Sequence, residues 1–87
     1  MTKTSGSPDV VYSWQNWHRA LRAACSADRA ALEASQDERP AVCAARRQAW
    51  DAAADAEDGV TAATARHGDR GFEKLAELRA RDGECPL

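Results

Sequence analysis

The first third of the chain alternates apolar and polar residues at the spacing of an amphipathic helix. Large apolar side chains recur every three or four residues, which places them on one face of a helix, and polar side chains occupy the opposite face. Alanines form a band between the two faces, so this helix can pack against two neighbours. The predicted apolar face comprises Val10, Trp14, Trp17, Leu21, Cys25 and Leu32, with His18 at its edge and Asp28 as the one charge within it.

The residues before this pattern predict where the helix begins. Ser7 can cap a helix, Pro8 suits the first helical position, and Asp9 is favourable near the positive end of the helix dipole. Nothing breaks the helix before about Ser35, so we expect it over about residues 8–35. Residues 1–6 are expected to be a flexible arm.

A second helical pattern is built almost entirely from small residues. Asp37 is the expected cap and Pro40 is tolerated in the first turn, which predicts a helix over about 38–66. Small residues let two helix axes approach closely. The positions expected to be buried are Val42, Ala45, Ala49, Ala52, Ala53, Ala56, Val60 and Ala63, with Trp50 to one side.

A third, shorter helix follows the segment HGDRG. Asp69 is the expected cap, and the helix is predicted over about 70–81, where Gly83 ends it. Its expected inner face consists of Phe72, Leu75 and Leu78. Residues 7–82 then form one helical domain, and 83–87 are a tail.

The order of charges predicts how the two long helices are arranged. Each is basic early and acidic later, an order that opposes the helix dipole within each helix. An antiparallel hairpin resolves the conflict by bringing opposite charges together. The fold class expected is therefore all-α, a long antiparallel two-helix hairpin with a short third helix. The expected ion pairs join Arg19 and Arg22 to Asp55 and Glu57, and Asp28 to Arg46 or Arg47.

The tryptophans suggest that this fold is completed by another molecule. A tryptophan has up to about 250 Å² of surface to bury. In the hairpin, Trp14 and Trp17 face alanine, one valine and the short helix, which leaves them poorly covered in a monomer. A homo-oligomer or a partner protein would supply the missing cover, with self-association the simplest form. The predicted protein interface comprises Val10, Trp14, Trp17, Leu21 and Trp50.

Composition and charge limit the partners and the cellular location that we expect for this protein. The chain has 87 residues and a formal net charge of −2, so no overall field draws it to nucleic acid or to an anionic membrane. No apolar run is long enough to cross a bilayer, and the N-terminal residues have no apolar signal region. An odd count of three cysteines without a CxxC pair is typical of a reduced cytoplasmic protein. Arginine-rich, lysine-poor composition indicates a GC-rich genome, as in actinobacteria or their phages, and a phage protein would instead reside in the virion.

Candidate chemistry is sparse. His18 and Cys25 are the nearest catalytic pair, but two helical turns separate them by roughly 10 Å. The cysteines and histidines lack the spacing of a zinc site, and no phosphate-binding or hydrolase motif occurs. We therefore expect no catalytic residues, no metal, no cofactor and no small-molecule substrate. Cys25 and Cys43 are expected to be small buried residues of the core.

These observations predict a small non-catalytic protein that acts by protein–protein association, as a virion subunit or an inhibitor of a host protein if it is encoded by a phage or mobile element. The alternative is a small nucleic-acid-associated regulator that contacts phosphates through Arg39, Arg46 and Arg47. Arginine placement discriminates between the two. One uninterrupted arginine face favours the regulator, and arginines that each meet a carboxylate favour the interaction protein.

Overall fold

A computed structural model describes residues 6–83, which form three α-helices and no strand. The helices are α1 (Gly6–Glu33), α2 (Arg39–Arg66) and α3 (Gly68–Asp82). The all-α class predicted from the sequence is confirmed. The expected arm was residues 1–6, but its last residue, Gly6, begins α1. The cap expected at the side chain of Ser7, residues 1–5 and residues 84–87 lie outside what the structure describes.

The connection between α1 and α2 is organised by Ser35 and Glu38. The backbone N–H and the hydroxyl of Ser35 both donate to Glu38 Oε1, at 3.1 and 3.0 Å, and the Glu38 N–H donates to Ser35 Oγ at 3.4 Å. This is the reciprocal pattern of a capping box, whose signature is serine followed three residues later by glutamate. These hydrogen bonds hold the pKa of Glu38 below its ordinary value. The expected cap at Asp37 is wrong.

Side-chain contacts tie the two long helices together near both ends. At the start of α1, Asp9 pairs with Arg66 at the end of α2. Near the end of α1, Asp28 Oδ1 accepts a hydrogen bond from Arg46 Nε at 2.7 Å. The start of one helix therefore lies beside the end of the other, and the expected partner of Asp28 is found in Arg46.

The buried side of α2 differs in part from the one predicted. Ala53, Ala56, Val60 and Ala63 are buried, and α1 contributes Ala24, which is fully buried. These α2 positions alternate steps of three and four residues, the spacing at which one face of a helix follows its neighbour. Two further positions expected to be buried lie off that line and are exposed. They are Ala45 and Ala52.

α3 packs on α2 through a glycine. A Cβ atom at Gly71 would lie 2.2 Å from the backbone oxygen of Thr64, so only glycine permits this approach. The inner face of α3 therefore runs through Gly71, Leu75 and Leu78, and the expected inner residue Phe72 is 59% exposed. The helix also begins earlier than predicted, at Gly68 with a φ of 59°, so that Asp69 lies in its first turn and is not the cap. Gly83 ends the helix as expected, with a φ of 76°.

The core occupies only the end of the molecule where α3 folds back. The described chain is elongated, 56 × 20 × 17 Å. Its core comprises residues of all three helices, whereas Leu32, expected on the buried face of α1, is 85% exposed. Beyond the end of α3 the chain is a pair of helices with no third layer. The core residues are Val10, Trp14, Val60, Ala63, Leu75 and Leu78.

Candidate interaction surface

Trp14 belongs to the core. Only 1% of its surface is exposed, because Val60 of α2 and Leu75 and Leu78 of α3 pack around it. Its indole Nε1–H donates to Asp82 Oδ2 at 3.0 Å. The expectation that Trp14 lacks cover in a monomer is therefore wrong, because α3 folds back far enough to enclose the ring.

Trp14, Trp17 and His18 form a ring cluster. The ring centroids of Trp14 and Trp17 lie 5.3 Å apart, and those of Trp17 and His18 lie 5.4 Å apart, both pairs edge to face. Trp14 and His18 are closer, at 4.4 Å. Edge-to-face contacts between aromatic rings add to the stability gained from burial alone. Trp17 remains half-buried at the rim of this cluster.

His18 is an unusual member of the ring cluster. It is 6% exposed, and its Nε2 is buried without a hydrogen-bond partner among residues 6–83. Burial lowers the pKa of His18; the Asp82 carboxylate opposes this shift and Arg22 adds to it. His18 is therefore held toward its neutral form. A groove of 310 Å³ borders the ring cluster, but Nε2 is not open to it.

Asp82, which was not predicted from the sequence, lies at the end of α3 and contacts Trp14. Arg81 donates to both carboxylate oxygens, at 2.8 and 2.7 Å, and these bonds with that from Trp14 lower the pKa of Asp82 to about 2. Asp82 follows Leu78 by four residues, on the same face of α3 as Gly71 and Leu75. That spacing was a usable signal for its position.

At the other end of the molecule, an open surface lies between α1 and α2 and continues over α1. We name it the distal groove. It consists of two adjoining hollows of 410 and 500 Å³ that share Asp28 and Leu32. Its described lining comes from α1 and α2 alone: Arg22, Cys25, Ser26, Asp28, Arg29, Ala31, Leu32, Arg39, Cys43 and Arg46.

Asp28 organises the floor of the distal groove. Its Oδ1 accepts hydrogen bonds from Arg46 Nε at 2.7 Å and from Trp50 Nε1 at 2.9 Å. The bond from Trp50 is the main reason that the pKa of Asp28 is lowered, and Arg46 contributes further. The indole of Trp50 is thus anchored beside the groove while 38% of its surface stays exposed.

Of the six arginines from Arg19 to Arg47, only one forms an ion pair within residues 6–83. Arg46 is paired with Asp28, whereas Arg22, Arg29, Arg39 and Arg47 form no ion pair within residues 6–83. The arginine criterion therefore favours neither expected function outright.

Two of the expected ion pairs do not form. Neither Arg19 nor Arg22 pairs with Asp55 or Glu57 in the part of the chain that the structure describes.

The structure separates the five residues predicted as a protein interface. Val10 and Trp14 are buried in the core, and Trp17 and Leu21 are half-buried. Trp50 is the most exposed of the five. Of the predicted set, only Trp17, Leu21 and Trp50 leave surface that a partner can contact. Leu32 and Cys43, which the interface prediction omitted, are the exposed apolar residues of the distal groove.

The two described cysteines differ in burial. Cys25 is half-buried and Cys43 is exposed, so the expectation that Cys43 is a small core residue is wrong. Both lie toward the end of the α1–α2 pair that α3, the third described helix, does not reach. Among residues 6–83 no group of histidine, cysteine and acidic side chains is placed to hold a metal ion. None of the helices described is long and apolar enough to cross a membrane.

No protein-family model, curated protein or solved structure matches this chain.

Proposed function

We propose that this chain is a small non-catalytic interaction protein that binds another protein through the distal groove. The observation that carries the proposal is the contrast between the two ends of the molecule. At one end α3 buries Val10 and Trp14 completely, while at the other Leu32 is 85% exposed and Trp50 is 38% exposed. Clustered exposed apolar side chains on a small protein indicate a surface used in binding.

The architecture supports this role. α1 and α2 act as a long antiparallel hairpin whose open end is closed by α3 and whose turn end lacks a third layer. A pair of helices buries less apolar surface than a three-helix arrangement, so a further helix laid into the distal groove would extend the same packing outward. The groove is apolar at Leu32 and Cys43, and its rim carries Arg29 and Arg39. That pattern of an apolar centre with a charged rim is typical of protein interfaces.

The cysteines bear on where such binding takes place. The thiols of Cys25 and Cys43 are free, and Cys43 is exposed. An exposed thiol persists in the reducing cytoplasm of a cell. We propose the cytoplasm as the place of action, with the virion as the counterpart if the gene belongs to a phage.

The first experiment is capture of partners by the tagged chain from an extract of the organism that encodes it. The test variant is Leu32→Asp, which puts a charge into the distal groove. The matched control is Phe72→Asp, because Phe72 is also a large exposed apolar residue, at 59%, but lies on α3. We expect a protein retained by the wild type and by Phe72→Asp to be lost with Leu32→Asp. Retention that is equal for all three proteins, or no retained protein together with a chain that does not self-associate, would contradict the proposal.

The alternative of a nucleic-acid-associated regulator rests on a separate observation. Arg22, Arg29 and Arg39 line the distal groove and pair with no carboxylate within residues 6–83. Phosphate contacts make binding strongly dependent on salt. An electrophoretic shift of duplex DNA at low salt that disappears with Arg29→Ala plus Arg39→Ala would favour the regulator. Absence of a shift at low salt would remove it.

A further inference from the structure

Leu32, the apolar centre of the distal groove, lies out of reach of residues 1–5 and 84–87. Residues 84–87 follow Gly83, next to Asp82, which contacts Trp14. Four residues span at most about 14 Å, whereas the rise of α1 from Trp14 to Leu32 is about 27 Å. Residues 1–5 precede Gly6, which is farther still from Leu32. Neither of these two short segments spans the distance to Leu32 of its own molecule.

The charges around the distal groove suit a copy of the same chain. The half of the hairpin formed by residues 20–51 carries five arginines and five carboxylates, so two such halves do not repel each other. Within residues 6–83, Arg29 and Arg39 of the groove form no ion pair, and neither do the exposed carboxylates of Glu33 and Asp51 in the same half of the molecule. Each copy therefore offers both the cations and the anions that the other leaves unpaired.

We propose that the occupant of the distal groove is a second copy of this chain, packed about a two-fold axis so that each Leu32 enters the groove of the other copy. In such an interface the same patch serves both partners, so one apolar surface buries its own counterpart. This inference rests on the proposed function and names its partner.

The size of the distal groove indicates how tightly two copies of the chain are expected to bind each other. From Arg22 to Glu33, α1 rises about 17 Å. The molecule is 20 Å wide, so the face is small beside the roughly 800 Å² that each partner contributes to a standard interface. We therefore expect a dissociation constant on the order of micromolar.

Sedimentation equilibrium of the purified chain between about 5 and 500 µM spans this range. We expect the wild type and Phe72→Asp to dimerise alike, and Leu32→Asp to dimerise at least about tenfold more weakly, because the interface loses the apolar side chain of Leu32 and a carboxylate must be desolvated there. Circular dichroism of each protein confirms that it is folded. Both substituted side chains are exposed in the monomer, so neither change disturbs the core.

Cross-linking tests the two-fold arrangement itself. A variant with Cys25→Ser and Cys85→Ser keeps Cys43 as its only thiol. Cys43 lines the distal groove, so the two Cys43 thiols of a two-fold dimer lie near each other. We expect a short bis-maleimide to give a covalent dimer in this variant, and to give none after Leu32→Asp is added.

The outcomes separate this inference from the proposed function. A wild type that stays monomeric throughout the concentration range contradicts the proposal that a second copy occupies the distal groove. A dimer that is weakened by Phe72→Asp but not by Leu32→Asp contradicts it as well. If the extract then yields a different protein whose capture depends on Leu32, the proposed function stands with another occupant. If it yields none, both fail.

Discussion

At the scale of single residues, two neighbouring side chains of α1 have opposite hydrogen-bonding outcomes. The indole N–H of Trp14 has a carboxylate partner in Asp82, at 3.0 Å. His18 lies one helical turn after Trp14, and its Nε2 atom is buried without a hydrogen-bond partner in the described chain. A buried polar atom that lacks a hydrogen bond costs stability. The ring cluster therefore combines a fully buried tryptophan with a buried polar atom that has no hydrogen-bond partner within residues 6–83.

His18 predicts how stability depends on pH. Its pKa is lowered in the folded state, so the unfolded chain binds the proton more readily. Its contribution to stability is complete above the unfolded value of about 6.5 and is lost as pH falls from there through the folded pKa. We expect the melting temperature of the wild type to drop between about pH 7 and pH 5 more than that of His18→Leu.

Thermal melts of the two proteins at matched ionic strength measure this difference. The other histidine, His67, is present in both proteins, so the difference between them reports on His18. Parallel pH profiles for wild type and His18→Leu would show that the burial of His18 does not couple to folding.

At the scale of elements, the position of α3 is decided by a single close contact. Gly71 lets the first turns of α3 approach the backbone oxygen of Thr64, and this approach turns Leu75 and Leu78 toward Trp14. The side chain of Thr64 is itself buried, with its hydroxyl donating to the backbone oxygen of Val60 at 2.7 Å. The junction of α2 and α3 thus has no room for an added methyl group.

Substitution of Gly71 by alanine tests the contact. A Cβ atom there meets backbone, which cannot rotate away, so we expect Gly71→Ala to lower the free energy of unfolding by about 1–3 kcal/mol. The matched control is Gly59→Ala within α2, where an added Cβ has nothing within 4 Å. Alanine favours a helix over glycine by up to about 1 kcal/mol, so the control is expected to be more stable than the wild type.

Urea unfolding followed by circular dichroism gives both free energies. The two substitutions are chemically identical and differ only in what surrounds the new methyl group. Equal effects at the two positions would mean that α3 can shift outward without cost.

At the scale of the whole molecule, the core is concentrated at one end of a 56 Å body. α3 supplies Leu75 and Leu78 to a core that otherwise holds Trp14, Val10 and residues of α2. The two long helices alone would leave Trp14 exposed. We therefore expect folding of the whole chain to depend on α3, although α3 packs against only one end of the α1–α2 pair.

Truncation tests that dependence. We expect a chain ended after Arg66 to lose its cooperative thermal transition and to show tryptophan emission shifted to longer wavelength, because Trp14 becomes exposed to water. The control is a chain ended after Gly83, which keeps α3 and is expected to melt like the full chain. A sharp transition in the shorter chain would place the stability of the fold in α1 and α2 alone.

Much of the secondary structure could be predicted from local pattern. Helical spacing and the small residues of α2 predicted three helices, and Gly83 marked the end of the last one. The charge order also predicted the pairing of Asp28 with Arg46. These features depend on residues close in sequence or on a register that one turn determines. The Ser35–Glu38 capping box was equally local, and its serine–glutamate spacing was overlooked in favour of Asp37.

The sequence by itself determined the helices and their main apolar faces, because periodicity and capping act within a few residues. Only the tertiary structure decided which residues of those faces are covered. Trp14 and Leu32 lie on the same predicted apolar face of α1. Trp14 is 1% exposed and Leu32 is 85% exposed, because α3 reaches only Trp14. The choice of Gly71 over Phe72 as the inner side of α3 was likewise set by the backbone of Thr64, a contact between two helices that spacing within one helix does not contain.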